Sequence, residues 1–293
     1  MPIPRIILGI SLMAAVAATA GCGGTSSPSP GGTSVSPQAT ARPIANTAGT
    51  GAPPARGSSA HAQYVGFARA VNLRAGDMPG FVGKPKKPKH PNLHNKAFEA
   101  DSQYRRCFSI GKQTKPVFKA SSDQFSDVGR LGYASASSQV EIAPTIATAQ
   151  RELATIKKAL GDPAAGRCLA RIFDRLGTQS TPMRTARATV RVTVGGLRLA
   201  PLQVGSVTAA TDGGVGLSLG MNVTYTVSAR GRTVTVPRSL HLDVLAFAVG
   251  RGEVTLTTIT LGQPFPPERE ARLFALMVSR ALAARHELRD IGN

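Results

Sequence analysis

A period-two alternation of apolar and polar residues, which begins at Thr185 and recurs as far as Leu261, constrains the fold more than any other feature of this sequence. In the first segment Val190 and Val192 lie in one phase, and Arg191 lies in the other. Successive side chains of a β-strand point to opposite faces, so each segment predicts a strand with one polar face. Glycine-containing turns separate the segments, which favours adjacent hairpins and an antiparallel sheet. The later segments are Leu217–Val227, Val234–Val236, Leu240–Val249 and Glu253–Leu261.

Helical periodicity surrounds this region. Pro144 and Gly161 bound an apolar stripe with spacings of three and four, and the segment Pro267–Arg285 carries a similar stripe. Glu268 and Glu270 lie in the first turn of this last helix, where negative charge suits the helix dipole. The predicted fold class is therefore α+β, a twisted antiparallel sheet covered by helices. Other predicted elements are helices at His61–Leu73, Ala97–Ile110 and Gly166–Leu176, a strand at Val117–Phe125 and polyproline geometry at Gly83–Pro91.

The N-terminal segment has the features of a secretion signal, in which an apolar stretch, Ile6–Ala18, is followed by small residues. The sequence Thr19-Ala20-Gly21-Cys22 resembles the bacterial lipobox, whose cysteine becomes the acylated first residue of the mature chain, with palmitate as a typical fatty acid. The alternative is an ordinary secretory signal cut after Ala18 or Ala20, which leaves Cys22 as a free thiol. A lone thiol is unusual in an oxidising compartment, so we expect Cys22 to be lipidated.

A low-complexity stretch follows the lipobox. All but six of the 38 residues from Gly23 to Ala60 are Gly, Ala, Ser, Thr or Pro, a composition that predicts a flexible tether. The predicted organisation is a lipoprotein signal peptide at 1–21, a lipidated cysteine and tether at 22–60, and a single globular domain at 61–293. These parts together predict a protein anchored on the extracytoplasmic face of a bacterial cell membrane.

The chain has three cysteines. Lipidation of Cys22 leaves Cys107 and Cys168, and two cysteines in an oxidising compartment allow one pairing. Neither has a CxxC partner or a histidine at ligand spacing, which argues against a metal site. The histidines of the Pro-Lys segment, His90 and His94, have no neighbouring carboxylate that would complete a metal centre. We therefore predict one disulfide, no metal and no cofactor.

The net charge of +19 arises from 35 Lys and Arg against 16 Asp and Glu. Its densest run contains Lys84, Lys86, Lys87 and Lys89. One interpretation is a solvated loop; the other is contact with an anionic surface, either lipid headgroups or an envelope polymer. The absence of Trp, the low content of other aromatics and the lack of a recognition helix argue against nucleic acid as a partner.

One motif formally matches a serine hydrolase. Gly216-Leu217-Ser218-Leu219-Gly220 has the G-x-S-x-G pattern, and Asp243 and His286 follow in the required order. A nucleophile elbow needs a strand, a sharp turn and a helix, whereas this motif lies within a predicted strand, so we expect Ser218 to be a polar-face residue. His241 and Asp243 are two apart on a strand and face the same way, but the sequence identifies no third group. The prediction is that the protein is not an enzyme and has no catalytic residues.

Several short motifs, taken in order, resemble uncharacterised lipoproteins of high-GC Gram-positive bacteria, which are related in style to the extracellular sensor domains of mycobacterial kinases. The resemblance implies a PsbP-like α+β sandwich that binds a ligand in a cleft. This chain differs in having one candidate disulfide where the sensor domains have two. The motifs are Ala70-Val71-Asn72-Leu73, Asp77-Met78-Pro79-Gly80-Phe81, Cys107, Ser121–Phe125, Cys168-Leu169-Ala170-Arg171 and Val249-Gly250-Arg251-Gly252-Glu253-Val254.

Three functional hypotheses follow from these patterns. The first is a non-enzymatic, membrane-anchored envelope lipoprotein that binds a small or lipidic ligand for sensing or carriage. The second is an interaction module whose basic surface binds an anionic envelope polymer or a protein partner. The third is a hydrolase built on Ser218.

Overall fold

The computed structural model describes residues 58–85, 107, 114–129, 132–178, 183–184, 189–229 and 231–288. The predicted signal peptide, Cys22, nearly all of the tether, and Lys86, Lys87 and Lys89 lie outside the described residues, as does the predicted helix Ala97–Ile110 except for Cys107. The described residues contain four α-helices. They are α1 (Ser59–Val71), α2 (Ile146–Leu160), α3 (Pro163–Thr178) and α4 (Pro267–Ala283).

The strands of the described residues form one antiparallel sheet, as the alternating pattern predicts. Its order is β1-β3-β4-β9-β8-β7-β6-β5, and β2 pairs with β4 beside β3. The α+β class is therefore confirmed. The strands are β1 (Val82–Lys84), β2 (Phe118–Ser121), β3 (Gln124–Gly129), β4 (Gly132–Ile142), β5 (Met183–Arg184), β6 (Thr189–Leu202), β7 (Gly214–Ala229), β8 (Arg232–Val249) and β9 (Gly252–Gly262).

Three strand predictions differ from the structure. The predicted strand Val117–Phe125 is divided into β2 and β3, because the Ser122 side chain accepts a hydrogen bond from the Ser138 amide and interrupts the ladder. The predicted separation before Leu240 is absent, and β8 runs continuously through Pro237. This proline is tolerated because β9 pairs with β8 only from Leu240 onward, so one edge of β8 is open at Pro237. Val82–Lys84 forms β1 where polyproline geometry was expected.

Each face of the sheet carries its own pair of helices. Phe247 of β8 packs beneath α1 and α4, and Phe274 of α4 lies edge-on to it with ring centroids 5.5 Å apart. Leu242 and Val244, in the opposite phase of β8, pack with α2 and α3. Since a strand alternates its side chains between faces, the continuously apolar stretch of β8 reflects burial on both sides. We call these the α1/α4 face and the α2/α3 face.

A carboxylate–guanidinium pair joins α4 to the segment that follows α1. Arg280 donates two hydrogen bonds to Asp77, each 2.7 Å long, and the Arg74 amide donates a third. Burial alone would raise the pKa of Asp77, but the hydrogen bonds and the charges of Arg280 and Arg74 outweigh it and lower that pKa. A carboxylate held in this way remains ionised and fixes the position of α4.

The predicted disulfide is present. Cys107 and Cys168 are bonded, with their Cα atoms 5.3 Å apart, and Cys168 lies in the second turn of α3. Cys107 is buried in the apolar cluster between α3 and the sheet. The bond therefore attaches Cys107 to the α2/α3 face. Among the helices that the structure describes, none has the length and apolar character needed to cross a membrane.

Candidate functional site

Helices cover only part of the α1/α4 face. They lie over β4, β9 and the C-terminal half of β8, whereas β6, β7 and the N-terminal half of β8 present polar side chains on this face. The same strands are apolar on the opposite face, where α2 and α3 pack. The uncovered side chains are therefore available to solvent. They include Arg191, Thr193, Arg198, Asn222, Thr224, Thr226, Thr235 and Ser239.

A cluster that we call the polar patch lies where the uncovered area meets the N-terminal end of α4. Two adjacent rows of paired residues form its floor, because the strand register aligns them across β7, β8 and β9. Its members are Ser218, Asp243 and Thr258 in one row, Gly220, His241 and Thr260 in the next, and Glu270 of α4 above them.

Glu270 closes the patch from the helix side. It is only 9% exposed, and the Thr258 hydroxyl donates to its Oε1 at 2.5 Å. Burial raises the pKa of Glu270, the Thr258 hydrogen bond lowers it, and the nearby Asp243 charge raises it again, so that the result is about 7. The carboxyl is therefore divided between its protonated and ionised forms near neutral pH.

Asp243 forms the centre of the floor. Burial raises its pKa, and the Ser218 hydrogen bond and the charge of His241 oppose that rise without cancelling it. The Asp243 Oδ1 atom is buried and has no hydrogen-bond partner. Buried polar atoms are nearly always hydrogen-bonded, so an unsatisfied carboxyl oxygen at this position requires an explanation.

The second row of the floor contains another unpartnered atom, on Thr260, and open space at Gly220. Thr260 is 3% exposed, and its buried Oγ1 has no hydrogen-bond partner. It faces His241 across the β8–β9 ladder and shares the α1/α4 face with Thr258. A Cβ atom built on Gly220 would meet nothing within 4 Å. The floor therefore combines two buried, unsatisfied polar atoms with open space at the neighbouring Gly220.

The charge of the patch contrasts with that of the chain. Within the described residues no Lys or Arg side chain lies within ion-pair distance of Asp243 or Glu270, although the chain has 35 basic and 16 acidic residues. Among the described residues, the basic groups that face the patch are His241 and, one strand beyond Gly220, Arg198. No group of three or more metal-ligating side chains occurs in the part of the chain that the structure describes. The patch thus holds two carboxyls without a Lys or Arg ion pair among the described residues, on a protein with a large excess of basic residues.

The hydrolase constellation is not assembled. Ser218 lies within the continuous strand β7, as the sequence predicts, and no helix follows it. Its hydroxyl bonds directly to Asp243, whereas a catalytic triad needs a histidine between the two. His286 follows the far end of α4, about 20 Å of helix away from Glu270, where its ring contacts the Ala283 carbonyl. Ser218, Asp243 and His241 do share one face, but the hydrogen bonding pairs Ser218 with a carboxyl and not with an imidazole.

Sequence reasoning missed Glu270 and Thr258 as members of a site. Glu270 was assigned only a favourable interaction with the helix dipole, whereas the structure buries it against the sheet. Its spacing to Leu273, Phe274 and Met277 contained the signal, because the four residues share one helical face. Thr258 is likewise in phase with Leu256 on the buried side of β9.

The other predicted site residues lie away from the polar patch. Lys84 is exposed at the end of the edge strand β1, four strands from β8. Its predicted contact with an anionic surface therefore concerns a different part of the molecule. Cys107 and Cys168 belong to the α2/α3 face.

Comparisons with known proteins give little further guidance. No family model matches the chain. No curated protein matches it. Among solved structures it is similar to the extracellular domain of PknH from Mycobacterium tuberculosis, with 10% identity and a TM-score of 0.24, over 62% of this chain and 91% of that one. Similarity at this level does not define a function, so we interpret the polar patch from its own residues.

Proposed function

We propose that this protein is a non-enzymatic envelope lipoprotein whose folded part binds a small ligand at the polar patch, for sensing or carriage. The observation that carries the proposal is the pair of buried, unpartnered atoms, Asp243 Oδ1 and Thr260 Oγ1, beside the open space at Gly220. A bound molecule would supply the missing hydrogen bonds. The polar floor favours a polar ligand over a lipidic one.

Export is supported by the disulfide and by the N-terminal sequence. Disulfides persist in oxidising compartments outside the cytoplasm, and Cys107–Cys168 packs in a helix–sheet core, with Cys107 buried and Cys168 partly buried, as expected of a structural bond. The lipobox-like sequence ending at Cys22 supplies the means of anchoring. The Gly-, Ser- and Pro-rich segment between Cys22 and the folded part would hold that part away from the membrane.

Binding is favoured over catalysis by the way the patch uses its side chains. The Ser218 hydroxyl is occupied by Asp243, and Glu270 is occupied by Thr258. Neither hydroxyl is paired with an imidazole or an amine, the bases that commonly activate serine and threonine nucleophiles. The atoms without a partner, Asp243 Oδ1 and Thr260 Oγ1, can form hydrogen bonds to a bound ligand, which suits binding.

Native mass spectrometry of the protein purified from its own host tests ligand binding. We expect a co-purifying small molecule on the wild type and its loss from Gly220→Leu, because the new side chain fills the open space while the extended backbone of β7 accepts it. Thr226→Leu is the matched control, on the same face of β7 but about 20 Å away, and retains the ligand. Absence of any ligand from the wild type would contradict the proposal and favour the basic-surface alternative around Lys84.

Detergent partitioning tests the anchor. We expect the wild type to enter the detergent phase and Cys22→Ser to remain in the aqueous phase, because two or more acyl chains are enough for stable membrane attachment. Fractions from the source bacterium provide the measurement. Equal aqueous recovery of both proteins would exclude lipidation at Cys22.

A further inference from the structure

We propose that the ligand of the polar patch is a small organic cation, a primary ammonium or a guanidinium, that bonds to Asp243, Thr260 and Glu270. This inference rests on the proposed function and specifies its ligand class. Three features of the patch specify this ligand class: its two vacant atoms, the charge around them and the open space at Gly220.

Both vacant atoms can accept hydrogen bonds from N–H donors, and the Thr260 hydroxyl can also donate one. Asp243 Oδ1 is a carboxylate oxygen without a partner, and Thr260 Oγ1 is a hydroxyl oxygen without a partner. Glu270 contributes a third group, because its hydrogen bond from Thr258 uses one of the lone pairs of its two oxygens. An ammonium has three N–H donors and no acceptor, and a guanidinium has five donors in a planar fork. Either cation matches a site with three acceptor groups.

The charge balance also favours a cation. Two carboxyls lie close enough to influence each other, and among the described residues neither has a Lys or Arg counter-ion. Buried carboxylates are normally paired, so this site lacks a positive charge that its geometry can accept. His241 and Arg198 are the basic groups that face the patch, and both lie in the row of Gly220, beside the open space. These two side chains would restrict the size of the ligand, and the Arg198 charge would disfavour a ligand with more than one positive charge near Gly220.

A metal ion fits the patch less well than an organic cation. Metal centres need several carboxylate, histidine or cysteine ligands converging on one point, and no such group occurs among the described residues. Gly220 pairs with His241 and lies diagonal to Asp243, and the open space at Gly220 leaves room for the carbon skeleton of a ligand. A molecule with one cationic end and a short body fits both observations.

Calorimetric titration with agmatine and putrescine, in excess sodium chloride, tests the proposal on the full chain. We expect saturable binding of at least one of the two amines by the wild type, and weakening by about tenfold or more in Asp243→Asn, which removes one charge-assisted hydrogen bond. Arg198→Gln should bind more tightly, because it removes a like charge from the edge of the site. Binding should also strengthen as the pH rises through 7, where Glu270 ionises.

Two results would overturn the cation assignment. One is the absence of amine binding by a wild type that melts cooperatively, and the other is equal affinity of the wild type and Asp243→Asn. The native-mass experiment distinguishes this failure from failure of the proposed function. A co-purifying ligand that is lost from Gly220→Leu but retained by Asp243→Asn would exclude a cation and leave ligand binding at the patch intact. Thermal melts of each variant exclude misfolding as the cause.

Discussion

Replacing Cys107 with Ser is expected to lower the free energy of unfolding by about 4 kcal/mol. The disulfide joins residues that are 61 positions apart, and closing a loop of this size restricts the unfolded chain by about that amount in the entropic treatment. For a body of this size the change corresponds to a fall in melting temperature on the order of 10 °C. Thermal melts of oxidised wild type and Cys107→Ser give the measurement.

The double variant provides the control for this prediction. Cys107→Ser/Cys168→Ser should match the single variant closely, because either change removes the same cross-link. Reducing agent should destabilise the wild type and leave both variants unchanged. A double variant as stable as oxidised wild type would show that the bond adds nothing to folding stability.

Glu270→Gln is expected to make the protein more stable above pH 7, although it removes a buried carboxyl that is hydrogen-bonded in the fold. The pKa of Glu270 rises from its ordinary value of 4.5 to about 7 on folding, so the folded state keeps a proton that the unfolded state has released between these values. Stability therefore falls as pH rises across this window, by about 3 kcal/mol in total at this position. Glutamine carries no proton to lose, and its amide oxygen still accepts from Thr258.

Denaturant unfolding between pH 4.5 and 8 gives the measurement for Glu270. The wild type should lose stability over the window, whereas Glu270→Gln should show a much smaller slope. Asp243→Asn is the companion variant. Burial is also the main cause of the raised pKa of Asp243, so this residue too makes the wild type less stable as the pH rises. Identical slopes for wild type and Glu270→Gln would contradict the assignment of the raised pKa to Glu270.

The strands were predictable because their signal is local. A period of two appears in any strand with one polar face, and Leu217–Val227 and Glu253–Leu261 alone predict β7 and β9. Leu240–Val249 alternates only as far as Val244 and is then continuously apolar, as in a strand that is buried on both faces. The single available pairing of Cys107 with Cys168 was predictable by elimination once Cys22 was assigned to the lipid. That assignment of Cys22, and the predicted surface contact of the lysines, stay predictions.

The polar patch was not predictable because its signal is distributed. Ser218, Asp243 and Thr258 come from three different strands, and only the register of the ladders places them in one row. Shifting one strand by a single residue would move its side chain to the opposite face. Glu270 joins them through the packing angle of α4, which depends on Phe274, Phe247 and the Asp77–Arg280 pair. No short stretch of sequence contains that information.

The packing of α1 also bears on the order in which the chain folds. The buried residues Phe67 and Val71 pack against β4, α4 and the short 3-10 turn Arg285–Leu288. Every strand of the described sheet lies between α1 and α4 in sequence, so their contact joins segments roughly 200 residues apart and is highly non-local. During synthesis α1 emerges before α4, and it can complete its core only after α4 has emerged. A chain truncated before Pro267 would leave Phe67 and Phe247 without α4, and we expect proteases to cut it faster than the full chain.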